Sequence, residues 1–502
     1  MDILAIDTFS TTPHLETAGE ILLTETLAGS VAGFAFIYAN NPDTGDPRSL
    51  LEQILGIRTC RKVSRLQRLL SNQGVNLIES PQLPASLHKD VVNFATQSVR
   101  RMDDLKRLSY KGAPLGIGVA ASLSMHTMDS DPNVTDCQDL IRRYLKASAL
   151  VFEATHIMIR QHRPKAVLVF NGRFACTRAV CEAARQVEVK CLFHERGATL
   201  ERYAIFEKQF NDLEYWCQCI RDAWDQASSD RGEIGRSFFT RRRNGDGIDW
   251  TSFTVGQKRG LVPVRGAGRR LVYYSASGDE GVYESRFMAR RLFESQRAAV
   301  LFLIDWVGRQ DNVELVIRVH PRVQELSARE RNWWDSLKGK NVRLEAARSR
   351  TDSYALAESA DLVLTYSSTM GVESSFLGKP VILLGDSTYR GFDCVYEPDT
   401  FEQLQTLLAQ TALPPMPPET CIPYGYFHLT FGHSYQFYQP TDLFEGSFMG
   451  VVLSEKPELL RRFLASRTGR ALRKWRRHLI GLVSHWASFE KSGQTHLIAR
   501  RS

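Results

Sequence analysis

Two stretches, LVIRVHPR (315–322) and LVLTYSSTMGVESSFLGKPVILL (362–384), decide the fold that the sequence predicts. In each, an apolar, β-branched run ends abruptly in polar residues. The second stretch then continues with helical spacing as far as Gly378, before another apolar run at 381–384. Strand, polar turn, helix and strand in succession are typical of a parallel α/β sheet. Ligands bind such sheets at the carboxyl ends of the strands, so we expect functional residues in these turns.

The polar residues of the two turns suit an anion. They are Arg318, His320 and Pro321 after the first run, and Ser367, Ser368 and Thr369 after the second. Hydroxyls at the start of a helix, beside basic side chains, predict a site for a diphosphate or nucleotide phosphate, because a helix N-terminus attracts negative charge. Glu373, about one turn into the helix, is predicted to reach a ribose hydroxyl. The structural alternatives are a strand-capping histidine, an ordinary helix cap and a solvated acid.

The first half of the chain also alternates predicted strands with predicted helices. The strands are 3–6, 32–38, 166–170 and 189–193, and the helices include 13–28, 88–112 and 136–163. A stretch rich in Gly, Arg, Asp and Ser predicts a linker, and the Pro-rich residues 411–423 end the second domain. The predicted domains are 1–240 and 269–425, with a linker at 241–268, followed by a third region, 426–502. We expect the aromatic segment 424–440 to pack back across the body.

These motifs resemble those of bacterial capsule and surface-polysaccharide glycosyltransferases, which have two Rossmann-like domains (the GT-B architecture). In that family RVHP and YSS-x-x-G-V-E-x-x-x-x-GKP recur on successive strands. Further matches are MDILAIDTFSTTPHLET (1–17), FNGR (170–173), HERG (194–197) and SASGDEGVYE (275–284). The resemblance implies an α/β fold with two parallel sheets facing a central cleft. It also implies a nucleotide-sugar substrate bound by the second domain, an acceptor bound by the first, and neither cofactor nor metal.

The remaining candidates follow other predicted strands. His14 and Glu16, in the loop after the first strand, are candidate general bases, because a base whose pKa is near neutral is the most effective. The alternative is that this loop only caps the next helix. In the second domain, Ser275, Ser277 and Asp279 are predicted to bind the donor, and Glu280 is a third candidate base. Acceptor binding is predicted for Asn171, Arg173, His194, Glu195 and Arg196, with a structural Glu–Arg pair as the alternative.

The net charge of +8 is concentrated at the end of the chain. Residues 461–502 carry eleven Lys and Arg against one acid, Glu490, a net charge of +10 that leaves −2 for the rest. The spacing of Leu472, Trp475, Leu479 and Leu482 predicts a basic amphipathic helix on an anionic membrane surface; a solvated helix or docking on protein are the alternatives. No nucleic-acid motif accompanies the charge, so no nucleic-acid partner is predicted.

Nine cysteines without a CxxC pair, and no apolar run of membrane-spanning length, favour a cytoplasmic protein that is peripheral to the membrane. The prediction is therefore a metal-independent glycosyltransferase. It moves a sugar, including a CMP-activated acidic sugar as one option, to a surface polysaccharide or its lipid-linked primer. The alternatives are a nucleotide-sugar 2-epimerase or CDP-polyol phosphotransferase of the same fold, and a non-catalytic polysaccharide assembly or export factor.

Overall fold

A computed structural model describes residues 1–39, 42, 60–209, 212–246, 254, 256–266, 268–277 and 292–453. The larger of two compact units, residues 1–46 and 65–451, contains every sheet that the described residues form. The smaller unit, residues 47–64 and 452–502, is described only at 60–64 and 452–453. The predicted tail helix therefore lies outside the described residues.

Helices and strands alternate through most of the described chain. The strands are β1 (Ile3–Asp7), β2 (Ala32–Phe36), β3 (Asn76–Ile78), β4 (Ala166–Phe170), β5 (Lys190–Arg196), β6 (Arg202–Phe206), β7 (Arg269–Tyr274), β8 (Val313–Arg318), β9 (Val342–Glu345), β10 (Leu362–Thr365), β11 (Val381–Leu383), β12 (His433–Ser434), β13 (Tyr438–Pro440) and β14 (Gly446–Phe448). The helices are α1 (His14–Leu27), α2 (Arg61–Ser71), α3 (Ala85–Ala95), α4 (Met102–Arg107), α5 (Leu115–Thr127), α6 (Gln138–His162), α7 (Ala175–Gln186), α8 (Leu213–Asp225), α9 (Arg231–Asn244), α10 (Gln296–Gly308), α11 (Ala328–Asp335), α12 (Ser353–Ser359), α13 (Met370–Phe376), α14 (Phe401–Ala409) and α15 (Ile422–Thr430). Short 3₁₀ helices lie at Val134–Cys137, Pro321–Glu325 and Pro418–Cys421.

The strands form two large sheets and one hairpin. The first sheet has the order β12-β6-β5-β4-β1-β2-β3, and the second has the order β11-β10-β7-β8-β9. All pairings in the second sheet are parallel, as are those from β3 to β5 in the first, whereas β6 and β12 pair antiparallel. The α/β class with two Rossmann-like parallel sheets is therefore confirmed.

Both sheets have the same internal order. If the five parallel strands of each are numbered along the chain, each sheet has the order 3-2-1-4-5. The order reverses between β1 and β4 in the first sheet and between β7 and β10 in the second. Such a reversal opens a crevice at the carboxyl edge, where ligands of α/β proteins bind.

The second sheet is covered on both faces, which explains its nearly continuous apolar strands. Alternate residues of β7 point to opposite sides: Leu271 and Tyr273 belong to a core confined to residues 271–413, while Val272 and Tyr274 join a core that extends into the first half. Burial on both faces fixes the register of the strand. It also fixes where each strand ends and its polar turn begins.

The aromatic segment after α15 returns to the first half of the chain, as expected. β12 pairs with β6, and the Tyr435 hydroxyl lies 2.6 Å from Thr17 Oγ1 on α1. Glu20, which is fully buried in α1, accepts hydrogen bonds from the backbone N–H groups of residues 436, 437 and 438 at 2.6, 2.9 and 2.9 Å. Burial raises the pKa of Glu20, and these three bonds oppose the rise.

One predicted helix is wrong in extent. Residues 88–112 were expected to form a single helix, but α3 ends at Ala95 and α4 begins at Met102. Arg101 has an extended backbone, and its N–H donates to Asp104 Oδ2 at 3.0 Å, which starts a new helix. None of the described helices is both long and apolar enough to cross a membrane.

Candidate functional site

The carboxyl edge of the second sheet brings the loops after β7 and β8 into contact. Ser275, which is buried directly after β7, accepts a hydrogen bond at its Oγ from the backbone N–H of His320 at 2.8 Å. Its own N–H donates to Arg318 O at 3.1 Å. Two of the predicted donor-binding segments are thus joined at the edge where β7 and β8 end.

His320 is held as a neutral ring. Its Nδ1 accepts the backbone N–H of Arg322 at 3.2 Å, and Pro321 begins the 3₁₀ helix that follows. Burial, and then the charges of Arg322, Arg318 and Arg242, lower the pKa of His320 to about 4. Because Nδ1 is an acceptor, the neutral ring carries its proton on Nε2. An anion at Nε2 would receive a hydrogen bond and would favour protonation of the ring.

Arg318 is used inside the protein. Its guanidinium donates to the carbonyls of Val319 at 3.1 Å, Ala346 at 2.9 Å and Ser349 at 3.3 Å. Burial lowers the pKa of Arg318. These bonds connect β8 to the loop after β9 and use only Nη1 and Nη2. The buried Nε–H has no hydrogen-bond partner among the described residues, so Arg318 keeps a donor that a phosphate could use without breaking them.

The hydroxyl turn after β10 is tied to its surroundings by several bonds. Thr365 Oγ1 accepts from Ser368 N at 2.9 Å and donates to Tyr274 O at 3.1 Å, which connects the turn to β7. Ser368 Oγ accepts from Met370 N at 3.3 Å, and the Tyr389 hydroxyl donates to Ser368 O at 2.7 Å. Ser368 therefore accepts from the first N–H of α13, while Thr369, the N-cap residue, makes no capping bond with its side chain. Ser367 is half-buried and Thr369 is exposed.

Glu373 forms a buried ion pair with a residue that the sequence analysis missed. Arg242, near the end of α9, places Nη2 3.1 Å from Glu373 Oε1 and 3.5 Å from Thr369 Oγ1. The Tyr354 hydroxyl also donates to Glu373. Burial alone would lower the pKa of Arg242. The charge of Glu373 and its bond to Arg242 outweigh this effect, so the pKa of Arg242 is raised. The only sequence signal was the run Arg241–Arg243, which falls at the start of the predicted linker.

The carboxyl edge of the first sheet contains buried polar atoms with no hydrogen-bond partner among the described residues. They are Thr8 Oγ1, Asn171 Oδ1, and both ring nitrogens of His194. His194 pairs with Phe170 in the register of β4 and β5, and burial lowers the pKa of His194 to about 3. Unpaired buried polar groups cost stability and call for an explanation such as a ligand.

The other predicted acceptor residues are held in place by neighbours. Asn171 has a left-handed backbone, and its Nδ2 donates to Glu195 Oε2 at 2.7 Å; burial raises the pKa of Glu195. The Arg173 guanidinium lies 4.7 Å from the Phe174 ring centroid. Arg196 donates to Leu443 O at 2.8 Å and lies over Phe444, so it contacts the returning segment.

The candidate general bases His14 and Glu16 have different surroundings. The ring of His14 lies against that of Phe170 with centroids 3.7 Å apart and planes tilted by 32°, at the reversal of the strand order. Glu16 is buried and accepts a hydrogen bond from Thr12 Oγ1 at 3.0 Å. Ser277 is half-buried, while Asp279 and Glu280 lie outside the described residues. In the part of the chain that the structure describes, no cluster of three His, Cys, Asp or Glu side chains could hold a metal ion.

Comparisons with known proteins give remote structural likenesses. No protein-family model matches the chain, and no curated protein matches it. Among solved structures, Thermosulfurimonas dismutans KpsC, beta Kdo 2,4 transferase, is 16% identical with a TM-score of 0.34, over 52% of this chain and 79% of that chain. Acinetobacter baumannii MurG is 11% identical with a TM-score of 0.26, over 84% and 94%. UDP-GlcNAc 2-epimerase from Neisseria meningitidis is 11% identical with a TM-score of 0.22, over 86% and 95%. Scores this low carry no argument about activity.

Proposed function

We propose that this protein is a glycosyltransferase that moves a sugar from a nucleotide donor to a surface polysaccharide or its lipid-linked primer. The observation that carries the proposal is the edge of the second sheet, where the bond between Ser275 and His320 joins two loops beside the hydroxyl turn 367–369. Neutral His320, with its proton on Nε2, is suited to donate to a phosphate oxygen. When the bond between the anomeric carbon of the sugar and the phosphate oxygen breaks, the electron pair stays on the phosphate. This donor and the hydroxyls of the turn would stabilise the negative charge that grows there.

The acceptor is proposed to bind at the first sheet. Its hydroxyl would hydrogen-bond the atoms of Thr8, Asn171 and His194 that have no partner among the described residues. His14 or Glu16 would take the acceptor proton as the new glycosidic bond forms, with Glu280 as the third candidate. Nucleotide-sugar is a substrate in this scheme, and no step is assigned to a cofactor or metal.

A thermal-shift screen of the full chain against CMP, CDP, UDP, GDP and their sugars tests the donor site. A ligand that binds only the folded state raises the melting temperature. At a hundredfold excess over Kd it adds about 2.7 kcal/mol to the free energy of unfolding. We expect a shift with one nucleotide that is lost in His320→Ala and retained in His88→Ala, a change of an exposed histidine in α3. The absence of a shift with every nucleotide, or an equal shift in His320→Ala, would contradict the proposed donor site.

The nucleotide-sugar that the screen identifies is then used to test the reaction. Incubated with this compound alone, a 2-epimerase inverts the sugar at carbon 2, whereas a transferase releases nucleotide only when an acceptor is added. An assembly factor does neither, and its cellular function survives His320→Ala. A polyol-phosphate polymerase would instead select a CDP-polyol and lengthen a phosphodiester chain.

Membrane association is proposed for residues 461–502, on the strength of their net charge of +10. An anionic surface attracts such a segment by about 1 kcal/mol per basic residue close to it. Deleting 461–502 is expected to release the protein from vesicles that contain anionic lipid while leaving the nucleotide-induced shift intact. Continued sedimentation of the deleted form with vesicles would contradict the role of the tail.

A further inference from the structure

A pocket outside the two sheet-edge sites lies between the two halves of the chain. It has a volume of about 730 Å³ and is lined by residues 100–103, 106, 130–134 and 136 from the first half and by Ser295, Arg297 and Arg329 from the second. Ligand pockets commonly have volumes of about 300–1,000 Å³. This pocket is therefore large enough for a short carbohydrate chain.

The topology places the pocket at the level of both carboxyl edges. Helix α6, which follows residues 130–136, leads into the start of β4, so it begins beside the carboxyl edge of the first sheet. Helices α10 and α11 follow β7 and β8, so they begin beside the carboxyl edge of the second. A ligand in the pocket would therefore lie on the same side of both sheets as the proposed substrates.

The walls of the pocket are fixed to each other. Glu330, buried in α11, accepts hydrogen bonds from Ser130 N at 2.9 Å, from the Ser130 hydroxyl, and from Arg297 Nη2 at 2.8 Å. Ser327 donates to Asp129 Oδ2 and to Met128 O, both at 2.8 Å. The Arg297 guanidinium also lies 4.6 Å from the Trp333 ring centroid. Arg297 is thus held before any ligand arrives, which reduces the entropic cost of binding.

Five cations line the pocket. They are Arg100, Arg101, Lys106, Arg297 and Arg329. Arg100 is exposed and forms no ion pair among the described residues, while Arg329 pairs with Asp131 at 2.8 Å with both side chains largely exposed. Exposed pairs of this kind contribute at most about 1 kcal/mol. A carboxylate that enters the pocket can therefore replace Asp131 at low cost.

Three acids, Asp103, Asp131 and Asp136, share the lining, so the pocket is mixed in charge with an excess of two cations. A bare polyanion would be repelled by these carboxylates, and a neutral sugar would leave the arginines unused. A sugar that carries a carboxylate can pair with the arginines and has too little negative charge to be strongly repelled by the aspartates. Its carboxylate accepts paired N–H bonds from an arginine, and its hydroxyls donate to the aspartates. We propose that this pocket binds an acidic carbohydrate, which under the proposed function is the acceptor chain.

Calorimetric titration of the full chain tests this with four probes: oligosialic acid, oligogalacturonate, maltotetraose and linear polyphosphate. We expect at least one acidic oligosaccharide to bind, with Kd about tenfold or more weaker in Arg100→Gln/Arg329→Gln, because each change removes a charge-assisted hydrogen bond. The matched control is Arg309→Gln/Lys340→Gln, which removes two cations that form surface pairs with Asp305 and Asp311 outside the pocket. Its Kd is expected to stay within twofold.

Three outcomes would overturn the proposal: no binding of either acidic oligosaccharide, an equal loss in the control variant, or binding that the pocket variant leaves unchanged, as the basic tail would produce. Equal binding of polyphosphate through the same arginines would overturn its carbohydrate part. His320→Ala is expected to leave oligosaccharide binding unchanged. Because nucleotide shifts test the donor site separately, failure of the pocket and failure of the proposed function are distinguishable.

Discussion

The carboxyl edges of the two sheets differ in how their polar groups are satisfied. At the second sheet, the hydroxyls of Ser275, Thr365 and Ser368 are bonded to neighbouring backbone, whereas Nε of Arg318 has no hydrogen-bond partner among the described residues. At the first sheet, atoms of Thr8, Asn171 and His194 have no hydrogen-bond partner among the described residues. Both sheets have the strand order 3-2-1-4-5, so topology determines where a crevice opens and leaves its chemistry to the side chains. Bonded hydroxyls favour rigidity at the second edge, and the larger set of unpaired groups at the first reserves bonding capacity for a ligand at a cost in stability.

The largest expected effect concerns the buried ion pair between Arg242 and Glu373 at the second edge. Arg242→Leu leaves Glu373 buried without its cation, and removing one partner of a buried pair costs about 3–5 kcal/mol of unfolding free energy. The neighbouring Arg243→Leu breaks only an exposed pair with Glu358 and should cost less than about 1 kcal/mol. Urea denaturation of both variants measures the difference. Equal losses would show that α9 does not secure this edge.

The sequence could not reveal this pair. Arg242 and Glu373 are far apart in the chain, and no spacing rule connects a helix end in one half to a helix start in the other. By contrast, the sequence pattern predicted 13–28 and 136–163 as helices, and the structure has His14–Leu27 and Gln138–His162. Local patterns therefore predicted the elements and the edges, while partners across the fold required the structure.

The break in the predicted helix 88–112 has a different cause. Val91, Ala95 and Val99 continue to Met102 and Leu105 at three- and four-residue spacing, and all five are buried. The hydrophobic pattern thus continues without a break through residues 96–101, although the backbone there is not helical. The local bond from Arg101 N to Asp104 Oδ2 starts the second helix at Met102. Such competition between a cap and a helix leaves no mark in the apolar periodicity.

The second prediction compares the glycines that follow the equivalent strands β4 and β10. An alanine Cβ at Gly371 would collide with the Tyr389 hydroxyl and lie 2.9 Å from Thr365 Cγ2, which costs about 1–3 kcal/mol. At Gly172, where φ is +75°, the Cβ would lie 2.8 Å from Phe193 Cδ1. Backbone strain adds about 1 kcal/mol there, so Gly172→Ala should be the more destabilising change. Thermal unfolding ranks the two, and the reverse order would contradict the argument.

The third prediction concerns acid sensitivity at the two edges. The pKa of His194 is lowered to about 3 and that of His320 to about 4, against about 6.5 in an unfolded chain. Below pH 6.5 the unfolded state binds protons that the folded state excludes, so stability falls as pH falls towards these values. Each histidine should account for about 2 kcal/mol between pH 6.5 and 5.

Urea unfolding at pH 7 and pH 5 measures this loss. His194→Gln and His320→Gln should each flatten the dependence, and the double variant should flatten it further. If a nucleotide binds at His320 as an anion, it should reduce the slope from His320 alone, because an anion favours the protonated ring. A slope that neither substitution changes would assign the acid sensitivity to other buried groups.

The smallest expected effect gives the sharpest contrast, because the two edges should respond with opposite sign. Ser368→Ala removes the acceptor for Met370 N and should lower the free energy of unfolding by about 1 kcal/mol. Thr8→Val replaces a buried hydroxyl that has no partner among the described residues with a methyl group of the same shape, and should raise it by about 1 kcal/mol. If Thr8 is held for an acceptor, the stabilised variant should also transfer sugar more slowly, with donor binding unchanged. A destabilised Thr8→Val would mean that the hydroxyl already makes a stabilising bond in the folded protein. The polar groups of the two edges would then be satisfied in the same way.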